Sequence, residues 1–135
     1  MTEWRVANSL GDIMTSQVVT VETGSALTQA RDLMRKRGIS HLPVTSKGTV
    51  VGVLSRRDLW AFGGKDAGIE LPDQVTVDRA MSSPATTLDP RSTVAWATAL
   101  LQMHSIGCIP VVENGRLVGI ITETDLNDAA AGRQP

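Results

Sequence analysis

The sequence predicts an α+β fold built from two pseudo-symmetric β-α-β-β-α repeats packed into one module, and three observations predict it. The first is an internal duplication at constant spacing. Gly38-Ile39-Ser40-His41-Leu42-Pro43-Val44, then Gly48, Val51-Gly52-Val53-Leu54-Ser55 and Arg57-Asp58-Leu59, returns without a gap when 67 is added to each number. The returning copy reads Ser105-Ile106-Gly107-Cys108-Ile109-Pro110-Val111, then Gly115, Val118-Gly119-Ile120-Ile121-Thr122 and Thr124-Asp125-Leu126. Met14, Thr20, Ser25, Ala30 and Leu33 also find identical partners at Met81, Thr87, Ser92, Ala97 and Leu100. The second observation is that apolar residues at helical spacing are followed in each copy by short valine-rich runs. The third is a glycine-containing turn between two such runs.

Taken in order, residues 2–9 are expected to form a short leading helix, and residues 10–14 lead into the first copy with Asp12 placed to cap the turn. Val18-Val19-Thr20-Val21 is a β-branched run suited to a strand. Gly24-Ser25 offers an N-cap to a helix whose apolar positions Leu27, Ala30, Leu33 and Met34 share one face. Arg35-Lys36-Arg37 suit the negative end of its dipole, and Gly38 supplies the C-cap. Residues 41–45 and 50–54 read as strands joined through Ser46-Lys47-Gly48, after which Ser55 opens a second helix reaching about Phe62. The second copy repeats the order: a strand at residues 86–88, a helix at 92–104, strands at 108–112 and 117–121 across an Asn114-Gly115 turn, and a helix from Thr122. Residues 63–75 carry glycine, proline and mixed charge and read as a connector. Thr76-Val77-Asp78-Arg79-Ala80-Met81 resembles a short capped helix entering the second copy. The expected organisation is a leading segment 1–9, a first repeat 10–62, the connector 63–75, a second repeat 76–128 and a tail 129–135.

Two copies of about fifty residues would each be marginal alone, so they are expected to pack on each other and share a core. Thirteen basic against fourteen acidic residues leave a net charge of −1, without the electrostatic footprint of a nucleic-acid binder. Nucleic acid is therefore excluded as the main partner. The lone cysteine, Cys108, excludes an intramolecular disulfide and a cysteine-rich zinc site, and fits a reducing compartment. The opening residues lack a signal pattern and no apolar run is long enough to cross a membrane, so a cytoplasmic protein with no membrane partner is expected. With one Phe, no Tyr and three Trp, the core must be built from Val, Leu, Ile, Met and Ala.

The repeated order of helix, Gly/Ser-Ile-Ser/Gly-x-hydrophobic-Pro-Val, glycine-containing hairpin and Val-Gly-hydrophobic-hydrophobic-Ser/Thr-x-x-Asp-Leu resembles the CBS domain, named after cystathionine β-synthase. Two copies in tandem resemble a CBS pair, or Bateman module, over about residues 10 to 128. The resemblance implies clefts between the copies that bind adenosine-containing ligands such as AMP, ATP or S-adenosylmethionine, and regulation of an attached or associated protein. With no catalytic or transport domain in the sequence, a stand-alone regulatory sensor is expected, requiring no cofactor.

By that resemblance, Asp58 and Asp125 accept hydrogen bonds from ribose hydroxyls, with Ser55 and Thr122 beside them. A carboxylate can accept from two vicinal hydroxyls at once, and such charge-assisted bonds are worth about 1.5–3 kcal/mol each. The residues by themselves also make a capping box, in which Ser/Thr satisfies a free amide and the acid suits the helix dipole. Ile39, Ser40, His41 and Pro43, and Ile106, Gly107, Cys108 and Pro110, would lie against the base, while Thr20 and Thr87 border the same clefts. Pro43 and Pro110 are equally accounted for as rigid starts of core strands. Arg56 and Arg57 place guanidinium groups beside Asp58, whereas Glu123 stands at the matching place beside Asp125. The Asp58 site is therefore expected to prefer phosphorylated ligands and the Asp125 site an uncharged or cationic adenosyl group, unless the two arginines are only solvated surface charges.

His41 and His104 occupy non-equivalent positions and match no ligand spacing, so no metal is expected. Cys108 falls on a core strand and reads as a buried, inert thiol. No nucleophile and base constellation or phosphate loop occurs, and an enzyme is not expected. Trp96, Leu100 and Met103 form an apolar stripe that the first copy lacks, where Gln29, Leu33 and Lys36 stand. That stripe is the expected homodimer interface, unless Trp96 packs on the leading segment near Trp4. The alternative reading of the whole chain is a ligand-independent dimerisation or protein-interaction module.

Overall fold

The computed structural model describes residues 9–63, 71 and 74–131; the leading helix expected at residues 2–9, with Trp4, lies outside them apart from Ser9. The elements run α1 (Leu10–Ile13), β1 (Val21–Glu22), α2 (Leu27–Arg37), β2 (His41–Ser46), β3 (Thr49–Ser55), α3 (Arg56–Gly63), α4 (Val77–Ala80), α5 (Val94–His104), β4 (Cys108–Glu113), β5 (Arg116–Thr122) and α6 (Glu123–Ala130). Apart from β1, each element of the first copy has a counterpart whose bounds lie 67 residues later. The chain divides into two compact units: a continuous one, Val19–Ala85, and a split one in which residues up to Val18 join those from Thr86 onward.

In the continuous unit the sheet has the order β1-β2-β3, with β1 parallel and β3 antiparallel to β2. The hairpin turns through Lys47 and Gly48 at φ 52° and 86°, the paired positive values that a two-residue turn requires. Strand β1 is shorter than the run from Val18 suggests, because only Val21 and Glu22 meet partners, Val44 and Thr45. Helix α2 buries Leu27, Ala30 and Met34 and ends on Gly38 in the left-handed conformation. Its N-cap is Ala26 rather than Gly24-Ser25 and offers no side-chain bond. The free amide of Leu27 instead donates to Val75 O at 2.8 Å, and Val77 N donates to Ser25 O at 2.9 Å. A backbone from the far side of the connector thus satisfies the helix terminus. Leu71 joins the buried cluster of this unit, with Val75 packed against it.

The split unit carries the β4-β5 hairpin, turned through Asn114 and Gly115, and α5. Thr93 caps α5, its hydroxyl accepting from Trp96 N at 3.0 Å. The strand expected at residues 86–88 is reduced to one parallel bridge, Leu88 with Val111. The reason is chemical: in the first copy Thr23 N extends the ladder by donating to Thr45 O at 2.9 Å, but its counterpart Pro90 has no N–H to donate.

The boundaries of the duplication are not those of the compact units. Helix α1, from the first copy, supplies Leu10 and Ile13 to the core of the split unit, while α4, from the second, supplies Val77 to that of the continuous unit. Thr15 pairs with Ile120 and Ser82 with Val53, in matching antiparallel bridges. Val77–Ala80 therefore form the expected short helix, but Thr76 caps it without a side-chain bond and it docks on the body of the first copy. A four-residue helix cannot bury an apolar face by itself, and the glycines of β3 and β5 open the slot it needs. Met81 lies over Gly52 and Met14 over Gly119. Buried apolar residues accordingly gather into two clusters, one per unit, each completed by the leading segment of the other copy.

Cys108 opens β4 and is buried, and loss of hydration pushes its thiol from 9.0 up to about 12. At pH 8 the native protein should therefore resist alkylation by iodoacetamide, with labelling that rises only as denaturant unfolds the chain. Because the unfolded chain releases this proton first, Cys108 stabilises the fold fully below pH 9.0, and that contribution falls as pH rises toward about 12. A Cβ at position 52 would stand 2.8 Å from Ser82 O, a backbone atom with no rotamer to yield. Gly52→Ala should cost about 1–3 kcal/mol in urea-denaturation midpoint analysis.

Candidate functional site

Each copy brings a hydroxyl, a carboxylate and a short chain segment together where the return strand becomes a helix. In the continuous unit, β2 begins and β3 ends on the pair His41 and Ser55. Arg56 N donates to Ser40 O at 2.8 Å, which ties the Ile39–Ser40 stretch to the first turn of α3. Ile39 is itself held by its N–H to Met34 O at 3.0 Å, past the Gly38 cap. Ser55 N donates to Asp58 Oδ2 at 2.7 Å, and Asp58 N donates back to Ser55 Oγ at 3.2 Å. These two bonds are the reciprocal exchange of a capping box.

The capping does not exhaust the pair. Among the described residues, no donor reaches Asp58 Oδ1 and the Ser55 hydroxyl donates to no acceptor. Both groups are half-buried, and Arg56 and Arg57 beside them are exposed. The first turn of α3 thus offers one carboxylate oxygen and one hydroxyl donor, at a helix end that favours negative charge and carries the exposed Arg56 and Arg57. Pro43 is fully buried in β2. Thr20 is half-buried just ahead of β1, and no hydrogen bond ties it to the other expected residues.

The split unit repeats the frame with different occupancy. Ile106 N donates to Leu101 O at 3.3 Å past Ser105, which takes the left-handed conformation of Gly38. Strand β4 starts on the pair Cys108 and Thr122. Thr122 and Asp125 form a complete capping box, with Thr122 N donating to Asp125 Oδ2 at 3.0 Å and Asp125 N to Thr122 Oγ1 at 3.4 Å. The Thr122 hydroxyl also donates to Oδ2 at 3.2 Å, and the Thr15 hydroxyl to Oδ1 at 3.0 Å. Cys108 and Pro110 are buried, Gly107 is half-buried, and Thr87, Glu123 and Thr124 are exposed.

Thr15 escaped the reading of the sequence. The signal for it was present: positions 15 and 82, related by the duplication, both carry a hydroxyl. The expected apolar stripe is also divided by the fold. Trp96 and Met103 are 50% and 65% exposed, but Leu100 is 8% exposed and belongs to the core with Ala97 and Leu101. A helix turning 100° per residue sets Leu100 closer to that buried face than the spacing alone conveys. Among the described residues no group of three His, Cys, Asp or Glu is placed to hold a metal ion, and no helix is long and apolar enough to cross a membrane.

Comparison with known proteins identifies the duplicated domain. The CBS domain is matched twice, at residues 10–59 and 76–132. The CBS domain-containing protein YhcV of Bacillus subtilis (strain 168) is 30% identical over 122 residues, covering 88% of this chain and 83% of that protein. The inosine-5'-monophosphate dehydrogenase of Staphylococcus epidermidis is 38% identical over 102 residues, 73% of this chain, which correspond to 19% of the enzyme. Among solved structures, the CBS-domain containing protein ATU1752 from Agrobacterium tumefaciens superposes with a TM-score of 0.82 at 26% identity, covering 96% of this chain and 98% of that one. CBSX2, solved in complex with AMP, has the same fold with a TM-score of 0.81 at 23% identity, covering 92% and 97%. The CBS domain pair of MJ0100, solved with 5-methylthioadenosine and S-adenosyl-L-methionine, does so with a TM-score of 0.78 at 22% identity, covering 92% and 96%. The twofold match, together with the duplicated frame that carries Asp58 and Asp125, places this chain in the CBS-domain family as a tandem pair.

Proposed function

We propose that this CBS pair is a regulatory sensor that binds adenosine-containing nucleotides without converting them. The observation that carries the reading is the Ser55–Asp58 pair, which meets the needs of its own helix and keeps one carboxylate oxygen and one hydroxyl donor available. A ribose diol donates to such an oxygen, and Arg56 and Arg57 favour a phosphorylated ligand there. At Asp125 the adjacent Glu123 disfavours phosphate, and an uncharged or cationic adenosyl group is the better fit. The adenosine ligands held by CBSX2 and by the MJ0100 pair support this ligand class. Ile39, Ser40 and His41, with Ile106, Gly107 and Cys108, face the base in this reading, and the buried Pro43 and Pro110 set the strands that carry them. Thr20 and Thr87 border the same sites. Binding acts by shifting an equilibrium that a regulated protein senses, for which a coupling of about 1–3 kcal/mol suffices.

A second reading is favoured by Trp96 and Met103, one α5 face with two large exposed apolar side chains. It makes the chain a homodimerisation or protein-interaction module, with the hydroxyl and Asp pairs serving as caps only.

Thermal unfolding against AMP, ADP, ATP, S-adenosylmethionine and GTP separates the two. A ligand at a hundred times its dissociation constant should add about 2.7 kcal/mol to the folded state, and the expected shift is with the adenosine compounds but not GTP. No shift with any of them, in a protein that still dimerises, would leave the interaction module. Asp58→Ala should cost about 1 kcal/mol of stability, the worth of a cap, and abolish the shift that phosphorylated adenosine ligands produce at this site. An unchanged shift in that variant would remove Asp58 from the binding role.

A further inference from the structure

The duplication provides an internal comparison, since groups around Asp58 have counterparts around Asp125. At Asp58, Oδ1 accepts no hydrogen bond among the described residues and the Ser55 hydroxyl donates to none. At Asp125 the equivalents are engaged: Oδ2 accepts from Thr122 N and the Thr122 hydroxyl, and Oδ1 already accepts from the Thr15 hydroxyl at 3.0 Å. Thr15 is held in place by two backbone bonds with Ile120, at 3.0 and 2.9 Å. Its counterpart Ser82 is held by the same two bonds with Val53, at 2.9 and 3.0 Å, yet its hydroxyl does not reach Asp58. Equivalent backbones leave the side chain to decide. Both residues are exposed, but the β-branch of threonine narrows χ1, whereas serine rotates with less restriction.

We infer that Thr15 sets a difference in ligand specificity between the two sites, by occupying the oxygen of Asp125 that a ribose diol would use. A vicinal diol is then recognised first and more tightly at Asp58. A ribose diol at Asp125 must displace the Thr15 hydroxyl or share Oδ1 with it, and sharing leaves the diol fewer lone pairs than at Asp58. The inference rests on the reading of both aspartates as ribose acceptors and adds to it that they are unequal.

Isothermal titration with AMP and with 2′-deoxy-AMP tests it on the parent protein and on Thr15→Val, Ser82→Thr and Asp58→Ala. In the parent, a tight event that prefers AMP over the deoxy compound is expected, and Asp58→Ala removes it. Thr15→Val, which keeps the branched shape and deletes the hydroxyl, should strengthen the weaker AMP event about tenfold, or bring it into range, as one charge-assisted hydrogen bond implies. The deoxy compound, left with only the 3′-hydroxyl, should gain less. Ser82→Thr should weaken the tight event by installing the competing bond. An unchanged weaker event in Thr15→Val, or an equal gain for both nucleotides, would overturn the role of Thr15 while leaving the sensor reading intact. A parent protein that binds neither nucleotide would overturn both.

Discussion

The antiparallel bridge between each leading segment and a return strand is the constraint on which the rest depends. Thr15 with Ile120, and Ser82 with Val53, each exchange two backbone hydrogen bonds. They add one rung to the free side of a hairpin that would otherwise present unpaired donors and acceptors. The rung requires close approach, and Gly52 and Gly119 permit it by leaving room for Met81 and Met14. From the rung follow the docking of α1 and α4, the apolar side chains they bury, and the placing of Thr15 within reach of Asp125. A bond that serves the fold thereby also determines what stands beside the candidate site.

Capping and binding are compatible roles for Asp58 because a carboxylate has two oxygens. The helix start needs one acceptor for the Ser55 amide, and Oδ2 provides it. The same exchange immobilises the side chain, so the remaining oxygen is held in position before any ligand arrives. Pre-organisation of this kind lowers the entropy lost on binding. The Asp125 frame shows the other use of the same geometry, with the second oxygen committed to the protein itself.

Charge separates the copies further. Arg56 and Arg57 stand beside one aspartate and Glu123 and Thr124 beside the other, all of them exposed. In physiological salt such exposed charges act over about 8 Å, so they influence a ligand bound at the adjacent first turn and little else. A duplicated frame with divergent side chains can therefore distinguish ligands of different charge without any change in backbone.

What the sequence determined by itself is local. The turns through Lys47-Gly48 and Asn114-Gly115, the Gly38 cap, the helical spacing of Leu27, Ala30 and Met34, and the Thr122–Asp125 box all depend on residues within a few positions of one another, and the repetition at 67 residues doubled each signal. The candidate aspartates and their hydroxyl partners were legible for the same reason. Tertiary structure alone decided which copy each leading helix docks on, that Leu27 is capped by Val75 O rather than by Ser25, that Leu100 turns inward, and that Thr15 meets Asp125. The Leu27–Val75 and Thr15–Asp125 partners lie 48 and 110 residues apart in the chain, and the bridges that dock the leading segments span 29 and 105. Spacing and propensity carry no information over such separations; burial and backbone hydrogen-bond satisfaction settle them once the chain has closed on itself.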